Sequence, residues 1–176
     1  MKKIAECILS LLLVLFSCSC SWNRGIIMHD DRSIANEEFE KILQAVQIGD
    51  SDMLIELFSQ KSIQNLKEFD KCVDELFEYF EGEVESYNDW GGPYVETIRE
   101  NNQIFQLMES SYDVKTSECE YRFAVTYVVE DTNDSSNVGI QSIYVINSEY
   151  DTDLQYAYWG DGKNTPGINI GIPNAV

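Results

Sequence analysis

Histidine is nearly absent from this 176-residue chain; His29 is the only one. No CxxC pair and no Cys/His spacing of the zinc type accompanies it, so neither a metal site nor a cofactor is expected. Catalysis that depends on imidazole loses its carrier in the body of the sequence, although carboxylates alone can still act as general acid or base. Basic residues are scarce too: 12 Lys and Arg face 31 Asp and Glu, for a formal net charge of -19. Nucleic acid is therefore not expected as a partner, because binding it depends on neutralising phosphates with Lys and Arg. An anionic membrane surface is repelled for the same reason. What the acidity supplies is a solvated exterior that can attract cations or basic partners.

A hydrophobic run of membrane-spanning length is also missing. The apolar segment from Ile8 to Phe16 follows Lys2 and Lys3, as in the charged start and short apolar region of an export signal. As a helix its nine residues, at about 1.5 Å each, cannot cross a hydrocarbon core roughly 30 Å thick, so the segment reads as cleaved. Ser17 directly before Cys18 resembles the lipobox of bacterial lipoproteins, in which the thiol is lipidated and becomes the first mature residue. Phe16 is an unusual occupant of that pattern, and Cys20 is the alternative acceptor. Two acyl chains on one cysteine hold a chain stably at a membrane, whereas one chain is marginal. The expected organisation is a signal peptide over 1–17, a flexible tether over 18–32 and one domain over 33–176. The expected location is the extracytoplasmic face of the cell membrane. Beyond the two acceptor candidates the mature chain keeps only Cys72 and Cys119. The compartment permits a bridge between them, and their apolar settings equally suit two buried thiols.

Along the domain, Ser33 can cap a helix carrying Phe39, Ile42, Leu43 and Val46 at helical spacing, with Gly49 ending it. Asp50 caps a second, shorter one with Met53, Leu54, Leu57 and Phe58. A third is expected over 62–81, with Phe69, Cys72, Val73, Leu76 and Phe80 on its apolar face and Gly82 as its stop. After Gly82 helical periods give way to strand-like segments over 83–87, 103–115, 119–130 and 138–147, with a last candidate over 155–159 before a glycine-rich tail. Helices first and antiparallel strands afterwards predict an α+β domain, its helices packed on one face of a curved sheet of about four strands.

The stretches "GDSDMLIELFS", "FDKCVDELFEYFEGEVESYND", "SSYDVKTSECEYRFAVTYVVEDTNDSSNVGIQSIYVI" and "YAYWGDGKNTPGINI" carry a more specific likeness. Together they resemble a family of Gram-positive lipoproteins catalogued as domain of unknown function 5104. The resemblance implies a cone fold like that of nuclear transport factor 2, placed at the cell surface, with no established activity and no catalytic residue to carry over.

In such a cone a ligand would sit between the concave sheet face and the helices. Tyr94, Tyr121, Tyr127, Tyr144 and Trp159 are the candidate lining, since an aromatic ring with a polar tip binds flat or hydroxylated ligands at modest entropic cost. Tyrosine is also common in sheets for packing alone. Acid–base enzymes with this fold are implied to pair a carboxylate with a tyrosine inside the cone. Asp113 and Glu109 share one strand face and would serve beside Tyr121 if that face were concave, which alternation alone does not decide. "DTNDSSNVG" places Asp131, Asn133, Ser135 and Asn137 at alternate positions, but lacks the glycine and glutamate of a calcium loop, so a hairpin turn is expected. "WGDGKNTPG" has no following helix to hold phosphate and is expected to turn the chain across an end of the cone. The functional expectation is a surface module that binds a small molecule, peptide or protein. An isomerase, dehydratase or hydrolase is the alternative, and homodimerisation through the outer sheet face stays open.

Overall fold

In the computed structural model, residues 30–66, 68–150 and 167–171 are described. Helix α1 (Asp31–Ile48) begins because extended Asp30 turns its carboxylate back onto the Ser33 N–H at 2.7 Å. The cap is therefore Asp30 rather than Ser33, which lies inside the first turn. Gly49 ends the helix as expected, its φ of 67° being left-handed backbone that glycine adopts without steric cost. Helix α2 (Ser51–Leu57) is capped by Asp50, which accepts the Met53 N–H at 2.9 Å.

The single third helix expected over 62–81 is two: α3 (Gln60–Asn65) and α4 (Phe69–Tyr79). Ser59 caps the first by accepting the Ser62 N–H, and Glu68 breaks the run with a φ of 61°. Phe69 then packs edge-on against Phe58, ring centroids 4.9 Å apart. The apolar stripe of α4 is as the sequence indicates, with Phe69, Val73, Leu76 and Phe80 buried.

Six strands, not about four, make one antiparallel sheet: β1 (Val84–Asp89), β2 (Tyr94–Glu100), β3 (Gln103–Thr116), β4 (Glu120–Asp131), β5 (Gly139–Asn147) and β6 (Ile168–Ile170). Their order is β1-β3-β4-β5-β6, with β2 also paired to β3, in a curved and unclosed sheet. The first unforeseen strand, β2, is exposed along most of its length and so shows no apolar alternation. Pairing with β3, from Tyr94↔Glu109 to Glu100↔Gln103, defines it; Asn101 and Asn102, at φ 50° and 63°, make the tight turn that hairpins require. The other, β6, lies in the glycine-rich tail, where a turn is expected, and pairs with Ile143, Tyr144 and Val145 of β5. The candidate strand over 155–159 lies outside the described residues.

Alternation sorts the sheet into two faces. Met108, Tyr112 and Val114 of β3 join Tyr121, Phe123, Val125 and Tyr127 of β4 against Phe39, Ile42, Leu54, Val73 and Leu76 of the helices. On the opposite face Ala124, Tyr144 and Ile146 form a second, smaller cluster. Sheet and helices are locked where β5 begins: Ser59 N–H donates to Ile140 O at 3.0 Å, and a Cβ on Gly139 would stand 2.8 Å from Ser59 N.

Candidate functional site

The helix-facing side of the sheet is filled by interlocking rings. Phe39 stacks on Tyr112 at 3.6 Å and meets Phe123 edge-on at 5.4 Å, while Phe80 stacks on Tyr121 at 4.8 Å. The Tyr121 hydroxyl donates to Tyr79 O at 2.9 Å and accepts the Glu81 N–H at 2.8 Å, closing the chain where α4 ends. Burial drives its pKa well above the usual tyrosine value, and both its donor and an acceptor position are in use. Tyr127 is also buried and donates to Met108 Sδ at 3.0 Å. Tyr121 and Tyr127 therefore work as core residues in the layer where a ligand was expected. A cleft of about 160 Å³ opens at one end of this layer between Ile34, Leu57, Tyr127, Val138 and Ile140, with Glu38 at its edge.

Asp113 and Glu109 lie on the other face, so the condition that would have set them beside Tyr121 is not met: the sheet separates them. The chain leaves β1 at Asp89, which pairs with Tyr112 on the helix-facing side and whose carboxylate is gripped by Arg32 (Nε 2.7 Å, Nη2 2.6 Å), Asn36 Nδ2 (3.2 Å) and the Gly91 N–H (3.1 Å). Those contacts, the Arg32 hydrogen bond foremost, lower the Asp89 pKa to about 2. Gly91 and Gly92, at φ 103° and 101°, then double the chain back toward β2. Between them the turn and the Trp90 N–H, which donates to Ser111 O at 3.1 Å, set the indole against the sheet.

Trp90 Nε1 donates to Asp113 Oδ2 at 2.9 Å, Arg122 Nε donates to Asp113 Oδ1 at 3.1 Å, and the guanidinium lies 4.1 Å from the centroid of the Trp90 ring. Each member thus restrains the other two, which gives a preorganised aromatic and charged surface. Two clefts flank it. One, of about 290 Å³, is lined by Asn88, Asp113, Lys115, Glu120, Arg122 and Ser148. The other, of about 280 Å³, is lined by Trp90, Gly92, Tyr94, Glu109, Ser111 and Ala124. Tyr94 and Glu109 are cross-strand partners there, and burial, with Glu96 nearby, raises the Glu109 pKa.

Of the residues singled out from sequence, the structure brings Tyr94 together with Glu109 and sets Asp113 on the same face. Tyr144 is on that face too, but buried with Ala124 and Ile146. Trp159, Cys18, Cys20 and His29 lie outside the described residues. Trp90 and Arg122 escaped sequence reasoning. The one signal was "NDWGGP", a tryptophan inside a turn where packing gives no reason for so large a ring. Asp131 accepts the N–H groups of Asn133 and Asp134 and the Asn137 amide, so its turn is held by its own residues, as a hairpin loop should be. Cys72 and Cys119 are free, half-buried thiols, not a bridge.

Fold and site together define an α+β domain whose helices close one face of a curved antiparallel sheet. The chain belongs to the family described as Domain of unknown function (DUF5104), whose model matches residues 41–148, from within α1 to just past β5. No curated protein matches it.

Proposed function

We propose that this protein is a binding module, held at the extracytoplasmic side of a membrane by a lipid on Cys18 or Cys20, that captures its ligand on the outer face of the sheet. One observation carries the reading: the Asp113–Trp90–Arg122 unit is preorganised between two clefts, whereas the helix-facing layer is packed with rings. Preorganised aromatic and arginine side chains are the groups that concentrate binding energy at recognition surfaces. Acid–base chemistry takes second place. Glu109 opposite Tyr94 supplies a carboxylate and a phenol, but among the described residues no hydrogen bond aims either of them.

The test is native against denatured mass spectrometry of the full chain extracted from membranes, with Arg122→Ala and Ser111→Trp as variants. A bound molecule present in the wild type and lost from both variants is the expected result. Retention in both, with loss on Val138→Trp, would move the ligand to the mouth of the cone. A ligand-free wild type would leave a protein as the partner.

A further inference from the structure

On the outer face Arg122 is committed to Asp113 and Lys115 to Glu85. Glu109 has no ion-pair partner among the described residues, and no Lys or Arg lines its cleft. The other lining residues are Trp90 and Tyr94 with their rings, Ala124, and the small residues Gly92, Ser110 and Ser111. Two rings and an unmatched carboxylate around about 280 Å³ favour a cation whose charge is spread over apolar surface, because ring faces attract such a cation and cost it little desolvation. A primary ammonium is more strongly hydrated and loses more on leaving water for such a surface. A net charge of -19 raises the concentration of any cation at the surface.

We propose that the cleft between Trp90, Tyr94 and Glu109 is a recognition site for a quaternary ammonium group. The site rests on the outer-face reading above and names its ligand class. A cleft of about 280 Å³ has room for a trimethylammonium head group. The remainder of the ligand would then extend over exposed Tyr94, on the edge strand β2.

Isothermal titration of the full chain in a maltoside detergent tests it, with choline as the probe and 3,3-dimethyl-1-butanol, its neutral carbon isostere, as the control. Expected are choline binding at or below about 1 mM, no binding of the isostere, and a loss of about tenfold for Glu109→Gln and for Tyr94→Ala. Tyr94 is on the edge strand β2 and Glu109 on β3 beside it, and unchanged thermal midpoints would certify that the variants fold. Phosphatidylcholine vesicles in place of free choline separate a lipid head group from a free solute: tighter capture on vesicles means the former. Equal binding of the isostere, or choline binding unaffected by Glu109→Gln, overturns the proposal. So does absence of choline binding, and a co-purifying molecule still lost from Arg122→Ala would then show that the ligand class had failed while the outer-face site stood.

Discussion

At the scale of single residues, what a side chain can do is decided by which groups its polar atoms already satisfy. Tyr121 illustrates this most directly. By sequence it is a phenol beside two carboxylates; in the fold its hydroxyl joins Tyr79 O to Glu81 N–H across the end of α4. Tyr121→Phe should therefore destabilise the domain by about 1 kcal/mol, because the partly buried carbonyl and N–H lose their partner. It should leave ligand binding on the outer face unchanged. Chemical denaturation and titration on the same preparation check both halves, and a variant with full stability but lost binding would return Tyr121 to the list of functional residues. Glu109 is the converse case: a carboxylate whose burial raises its pKa and which finds no cation among the described residues.

At the scale of elements, the turn between β1 and β2 is tied to the start of α1 by Asp89, and this tie is pH-dependent in a defined direction. The Asp89 pKa is lowered to about 2 in the folded protein, from an ordinary value near 3.8. Its contribution to stability is thus fully present above about pH 4 and is lost as pH falls through about 2. In Asp89→Asn the contribution is missing throughout, so the stability gap between wild type and variant should be widest at neutral pH and close progressively between pH 4 and 2. Denaturant midpoints across that range measure it; a gap independent of pH would assign the effect to packing instead. Because Trp90 and the two glycines follow Asp89 directly, the same variant should also loosen the indole against Asp113 and Arg122.

At the scale of the whole molecule, the helices cover one face of the sheet, while Trp90, Tyr94 and Glu109 line a cleft on the other. No helix among the described residues is long and apolar enough to cross a membrane. In the proposed function the lipid supplies the attachment. Cys18→Ala combined with Cys20→Ala should release the protein into the medium, while either single variant distinguishes the acceptor. Fractionation followed by immunodetection reads this directly, and membrane retention of the double variant would sink the anchor.

Much of the architecture was legible in the chain because it follows from local periodicity. Apolar residues three and four apart placed α1, α2 and α4; alternation placed β3, β4 and β5; and the change of period after Gly82 marked where helices end and sheet begins. Position β2 was not legible, since an exposed edge strand owes its shape to its partner and carries no apolar alternation of its own. The break at Glu68 was hidden as well, for a stripe of apolar residues reads the same whether one helix or two present it. Which face of β3 turns inward was undecidable from alternation, because Phe105 and Leu107 balance Met108 and Tyr112; only packing against Phe39 and the helices chose the even-numbered face. That choice, a long-range one, separated Tyr121 from Asp113 and Glu109 and brought Trp90 across 23 residues to Asp113. Sequence by itself determined the class of the domain, its acidity and its family likeness, all of which depend on composition and neighbours along the chain. Tertiary structure alone decided where a ligand can bind, because a cleft exists only where residues distant in sequence fail to fill the space between them.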